Sequence, residues 1–196
     1  MKKQKLKVKS YKVKSGFTLV ETLVAVSIFT ISILALLVVL TQGISDTIYA
    51  KEKITASYLA QEGIEYMRNI RDTFVLYDAA DSQTGWNAFN NKLVSASCAT
   101  PFGCYFDDQN INYASQTQPM VGITLTACGT SCPTLLYDGV TGKYGYEAGT
   151  DAGFIRKIEI IQISGDETKI FSTVSWVQGS GVYSITFSEN LFNWIE

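Results

Sequence analysis

Residues 17–45 carry a single charge, Glu21, and residues 22–45 are 24 consecutive uncharged side chains, mostly Leu, Val, Ile and Ala. As a helix rising about 1.5 Å per residue this run spans roughly 36 Å, enough to cross a hydrocarbon core of about 30 Å. A soluble protein would have to bury such a helix on every side over its whole length, which is the less favoured reading. An ordinary secretory signal is also disfavoured. Its apolar region runs about 7–15 residues and ends in a small-x-small site, whereas this run is longer and no clear A-x-A follows it.

The pattern then changes period. Residues 46–72 hold no Pro and only one Gly, Gly63, and the positions Ala56, Leu59, Gly63, Met67, Ile70 and Phe74 recur at steps of 3, 4, 4, 3 and 4. That spacing marks one face of a helix. Lys51, Glu52, Lys53, Glu62, Glu65 and Arg68 fall largely off it, and the stretch Ile70-Arg71-Asp72-Thr73 reads as the helix end. The chain therefore predicts one helix over residues 17–74, apolar all round in its first half and striped in its second. The stripe needs a surface to cover it.

Strand signals lie at the other end of the chain. Residues 154–164 alternate, with Phe154, Arg156 and Ile158 facing away from Ile155, Lys157 and Glu159. Residues 169–177 and 182–187 read as two further strands, joined by Gly-containing connections at 164–168 and 178–181. Such spacing predicts antiparallel hairpins. Residues 81–150, rich in Gly, Asn, Asp, Ser and Thr, read as a long loop region with two short strands, around 120–126 and 134–138.

Charge changes the picture at the N-terminus. The net charge is −2, yet the charges in residues 1–16 are seven lysines. Of the 16 Lys and Arg this leaves nine, against all 18 acidic residues, from Phe17 onward. An acidic body argues against nucleic-acid binding. A basic head before an apolar run is the pattern of a segment whose start stays inside and whose remainder is exported.

The junction between head and run reads Lys14-Ser15-Gly16-Phe17-Thr18-Leu19-Val20-Glu21. It resembles the N-terminal signature of type IV prepilins and of the related pseudopilins of type II secretion and DNA-uptake machines. The resemblance covers about residues 14–40. It implies that a membrane aspartyl peptidase cuts between Gly16 and Phe17 and methylates the new Phe17 amine. It further implies that the apolar run stays on the mature protein and that Glu21 pairs with the Phe17 amine of a neighbouring subunit. The stretch from Ala56 to Asp72 further resembles a subgroup of minor, PilV-like prepilins. One departure stands out: many major pilins carry Gly and Pro where this chain has Thr30 and Val38, so the run lacks a built-in helix breaker.

Each candidate site has a plainer alternative. A carboxylate among apolar side chains costs several kcal/mol unless neutralised or paired. Glu21 is therefore the assembly candidate, against a snorkelling interfacial acid. The four cysteines are spaced Cys98-x5-Cys104 and Cys128-x3-Cys132. Structural zinc prefers pairs two to four residues apart, often with His, and the chain has no His. Export favours disulfides. Of the three pairings four cysteines allow, Cys98–Cys104 with Cys128–Cys132 is the local one, and it would staple loops with little core of their own. Asp108, Asn110 and Asn112 alternate like the opening of a calcium loop, but Tyr113 and Pro119 occupy the positions of its Gly and terminal acid. No Ser/His/Asp, Cys/His or Gly-rich phosphate motif is present.

The expected fold is α+β and type IV pilin-like, a long N-terminal helix packed on a small antiparallel sheet domain. The expected organisation is a leader at 1–16, a transmembrane or filament-core helix at 17–45, its amphipathic continuation at 46–74 and an extracytoplasmic domain at 75–196. That domain divides into loops at 75–153 and antiparallel strands at 154–188. The expected role is a structural, minor subunit of a type IV pilus or related filament, not an enzyme, with no cofactor and no metal. Its partners would be the prepilin peptidase, other pilin subunits, inner-membrane lipid before assembly and the assembly platform. A secretion or competence pseudopilin is the nearest alternative, and a membrane-anchored extracytoplasmic binding protein or enzyme is the alternative of a different class. The N-terminus would lie in the cytoplasm and the body outside it.

Overall fold

The structure, a computed structural model, describes residues 16–77, 81–107 and 124–193. The basic head at 1–15, the Asp108–Asn110–Asn112 alternation and most of the strand expected at 120–126 lie outside these residues. The chain divides into two compact units, Met1–Thr47 and Ile48–Glu196.

Helix α1, Leu19–Tyr77, runs through both. In the first unit its side chains are exposed throughout, and the most apolar 18-residue window has none of its residues buried. The hydroxyls in this stretch do not need water. Ser27 and Ser32 donate to the carbonyls of Leu23 and Ile28 at 2.8 and 2.7 Å, and Thr30 and Thr41 donate to those of Ser27 and Leu37 at 2.9 Å each. Back-bonding of this kind satisfies a polar side chain within the helix itself, which a bilayer requires.

In the second unit the helix carries the stripe. Ala56, Leu59, Gly63, Met67, Ile70 and Phe74 are all buried, as the spacing predicts. The helix continues beyond the expected end at residue 74, because Phe74 and Val75 are both buried and extend the apolar face past Asp72-Thr73.

The stripe packs on an antiparallel sheet. Its long strands are β5 (Thr150–Ser164), β6 (Glu167–Gln178) and β7 (Gly181–Phe192), paired in sequence order. The strand β1 (Cys104–Phe106) joins β5 on its other side and carries β2 (Leu125–Ala127). The hairpin of β3 (Thr134–Asp138) and β4 (Lys143–Gly145) also pairs with β5, nearer its start. The faces of β5 fall as expected: Phe154, Arg156, Ile158 and Ile160 are buried.

Several boundaries differ from the sequence reading. The strand β5 begins at Thr150 rather than 154, because Gly153 takes a positive φ of 73° and the chain stays extended on either side of it. The strand β7 runs to Phe192 rather than 187, since Ser188, Glu189 and Asn190 pair with β6 on an edge strand that tolerates polar side chains. The largest difference concerns the described residues of 75–153, which hold more than loops and two short strands. Besides β1 to β4 they hold helix α2, Ser82–Ser95. Asp81 caps it, accepting from Thr84 N–H at 2.6 Å. Trp86, Phe89 and Leu93 are fully buried in the core with Met67, Ile70 and Ile158. The two helices approach closely: a Cβ at Gly85 would stand 2.5 Å from the Phe74 carbonyl oxygen and 2.8 Å from Val75 Cα.

Candidate functional site

The residues expected to take part in processing and assembly sit where the first unit begins. Helix α1 starts at Leu19, directly after Thr18. The Thr18 Oγ1 accepts from the Glu21 backbone N–H at 3.3 Å, and Thr22 N–H donates to the Thr18 carbonyl at 3.2 Å. Thr18 is therefore the N-cap, and Thr18-x-x-Glu21 has the spacing of a capping box. The sequence reading passed over this cap, although its signal was present in the order of the residues. An acid in the first turn also suits the positive end of the helix dipole.

Gly16, Phe17 and Glu21 are all exposed, Phe17 at 79%. A side chain at position 16 would meet nothing within 4 Å, so the packing of this chain does not itself require glycine there. If the chain were cut after Gly16, the new amine would stand one residue before the cap and about one helical turn from Glu21. Beyond Glu21, the first unit presents only apolar and hydroxyl groups up to Asp46 (apart from Gln42 and Gly43), with Val20, Leu23, Val24 and Ile28 each more than half exposed. A surface of that extent needs lipid or other protein around it.

The cysteines are in the second unit, in the two local disulfides Cys98–Cys104 and Cys128–Cys132, and among the described residues no cysteine is free. With all four sulfurs paired, no thiolate is left to ligate zinc. The first bridge differs in setting from the expected loop staple. Cys98 and Cys104 are fully buried members of the main core, beside Phe106 and Ile160. Cys104 begins β1, and Cys98 sits among backbone bonds to β5, where Ile160 N–H donates to its carbonyl at 3.0 Å. The bridge thus holds the end of the α2 segment against the sheet.

The second unit also holds a buried charge. Arg156, 1% exposed on the helix-facing side of β5, donates from Nη1 to Glu62 Oε2 at 2.7 Å. Nearby, burial pushes the Tyr146 hydroxyl up from its ordinary pKa, and the Arg156 charge opposes part of that shift. A second ion pair, Arg68 to Glu189 at 2.7 Å, links the helix to the edge strand β7, and this bond holds the guanidinium pKa above its ordinary value. Among the described residues no group of three or more His, Cys, Asp or Glu side chains could hold a metal ion.

A family model for the prokaryotic N-terminal methylation motif matches residues 11–37. No curated protein and no solved structure matches the chain. The chain thus carries the N-terminal signature of type IV pilins and pseudopilins. It carries it at the start of a long apolar helix whose latter half packs on an antiparallel sheet, the α+β arrangement of a type IV pilin-like protein. The motif implies processing by a prepilin peptidase and assembly with other pilins.

Proposed function

We propose that this chain is a minor structural subunit of a type IV pilus or related filament. It is cut between Gly16 and Phe17, methylated on the Phe17 amine, held in the membrane by residues 17–45 and then drawn into the filament through the same helix. The observation that carries the reading is the junction of the methylation motif with an exposed helix that carries no charge from residue 22 to 45, in a single stretch of chain. A helix whose hydroxyls are satisfied internally and whose apolar faces are all uncovered suits lipid first and a bundle of like helices afterwards.

Glu21 gives the assembly step its specificity. In a bundle of such helices its carboxylate needs a cation, and no Lys or Arg follows it before Lys51, about 45 Å further along the helix. The amine released at Phe17 supplies one. Pairing with the amine of a neighbour makes processing a precondition for docking and sets the axial step between subunits.

The test is recovery of the chain in filaments sheared from cells. Wild-type chain is expected in the sheared fraction, and a Gly16→Leu chain is expected to remain in the membrane with its leader attached. Equal recovery of both would refute the reading.

A further inference from the structure

The strand registers gather two turns at one end of the sheet. Tyr137, near the end of β3, lies opposite Thr150 at the start of β5, and Phe154 lies opposite Trp176 near the end of β6. Val177 in turn lies opposite Val182 at the start of β7. The β3–β4 turn around Val140 and the β6–β7 turn around Gly179 therefore share one end, and the β5–β6 turn at Gly165 lies at the other. Within the second unit α1 begins at the first end. The Tyr49 ring centroid is 6.3 Å from that of Trp176 and 5.1 Å from that of Tyr183. It finishes toward the second, where Arg71 donates to the Phe192 carbonyl.

The first end is apolar and aromatic. Val140, Val182 and Val177 are 96%, 77% and 66% exposed. Tyr183 and Tyr137 stand partly exposed beside them, each at 39%. Val140 on the β3–β4 turn and the cross-strand pair Val177 and Val182 are left uncovered by this unit's own packing, at the same end of the sheet as the Tyr49, Trp176 and Tyr183 rings.

Chain continuity identifies what faces this rim. Tyr49 follows Ser45, the last residue of the uncharged run, by four positions, about 6 Å along a helix. Tyr and Trp concentrate at the headgroup level of membrane proteins because one end of each ring is apolar and the other polar. The charged groups near the rim are mixed in sign, Lys51, Lys53 and Lys143 with Glu52, Asp138 and Asp151. The contact is therefore apolar and does not depend on anionic lipid.

We propose that, while the chain is held in the membrane, this rim of the second unit rests in the headgroup layer of the bilayer, with Val140, Val177 and Val182 inserted and the partly exposed rings of Tyr49, Tyr137 and Tyr183 at the boundary, the Trp176 ring staying buried behind them. The proposal rests on the membrane-held reading of residues 17–45. Release of this contact would accompany extraction into a filament.

The experiment uses the full chain reconstituted in phosphatidylethanolamine/phosphatidylglycerol vesicles containing a headgroup-nitroxide lipid. Single cysteines at Val182→Cys, Val140→Cys and, as the far-end control, Ile163→Cys are labelled with an environment-sensitive maleimide, to which the four disulfide-bonded cysteines do not react. Vesicle flotation is recorded on the same samples. At both rim sites about half or more of the emission is expected to be quenched, with a blue shift, and raising the salt to about 1 M should not reverse it. The Ile163→Cys label should be unaffected. A floating chain whose rim labels behave like the control overturns the proposal. So does a blue shift that is insensitive to nitroxide lipid and grows with protein density, since a second copy would then cover the rim. A chain that does not float refutes the membrane-held reading itself, and the proposal with it.

Discussion

Arg156 and Glu62, 94 residues apart in sequence, meet through Nη1 and Oε2 at 2.7 Å and tie the striped helix to the centre of the sheet. The guanidinium carbon lies 4.1 Å from the Phe106 ring centroid, and Phe106 stacks on Tyr66 at 3.7 Å between centroids. One cation thus joins α1, β1 and β5. Its charge is buried, while the Glu62 side chain is 41% exposed.

That asymmetry sets the expected mutational costs. Glu62→Ala leaves the guanidinium buried without its carboxylate. Because Glu62 is partly solvated, the loss should be about 1–2 kcal/mol, below the 3–5 typical of a fully buried pair. Arg156→Ala also opens a void beneath Phe106 and should cost about 3 kcal/mol. Arg156→Met combined with Glu62→Gln should recover most of that loss, since a packed apolar replacement of a buried pair is often neutral. Urea unfolding of the detergent-solubilised chain reads all three, and an unchanged midpoint for Glu62→Ala would contradict the assignment.

Gly63 is where the helix comes nearest the sheet. A Cβ there would overlap the Ser172 hydroxyl and stand 3.1 Å from both Ser172 Cβ and Ile158 Cδ1. Gly63→Ala gains about 1 kcal/mol of helix propensity but forces the helix off the sheet, an overpacking cost of about 1–3 kcal/mol. Net destabilisation is expected, and Gly63→Ala with Ser172→Gly should relieve it. A stabilised Gly63→Ala single variant would show that the helix and strand are not in contact there.

Asp81 gives α2 a pH dependence. Its carboxylate accepts from Thr84, and that bond lowers its pKa below the ordinary value. A lowered folded-state pKa means that the contribution is fully present above the unfolded value of about 4 and is lost as pH falls through the folded one. Acidification should therefore fray α2 first. In hydrogen exchange, the first-turn amides of α2 should lose protection below about pH 4, and Asp81→Asn should remove that pH dependence while keeping the cap.

The stripe on α1 was readable because six positions at helical spacing state a period that no strand shares. The faces of β5 were readable for the same reason, at a period of two. Helix α2 was hidden by its composition: Gly85, Asn87, Asn90 and Asn91 are poor helix formers, and what holds the helix is tertiary. Trp86, Phe89 and Leu93 are fully buried, and Asn90, itself buried, donates to the Trp86 carbonyl and accepts from Thr168 at 2.6 Å. Asp81 before residues spaced 3 and 4 apart was the faint signal. At the N-terminus the motif itself could be read from sequence, since a motif is a local order of residues, and the family model matches it at residues 11–37. The Thr18 cap was equally local and was passed over. The buried Arg156–Glu62 pair was not readable, because nothing in either segment states which strand the helix crosses.

The proposed role of Glu21 predicts different outcomes for insertion and for assembly. Glu21→Ala should still insert and still be cut, since neither step needs the carboxylate, but it should enter filaments poorly. In a filament core the variant leaves the partner's amine unpaired, and removing one member of a buried pair costs about 3–5 kcal/mol. Glu21→Asp should be partly tolerated and Glu21→Gln intermediate. The ratio of filament-associated to membrane-retained chain is the measurement, and wild-type incorporation of Glu21→Ala would make Glu21 a solvated interfacial acid.

The proposed processing and assembly pass through one bond, the peptide between Gly16 and Phe17. Mass spectrometry of the N-terminal peptide, taken from chain recovered in filaments, tests it directly. The expected result is a peptide beginning at Phe17 and heavier than its sequence by one methyl group. A filament-associated chain that retains the lysine-rich residues before Gly16, or that begins elsewhere, would contradict the account.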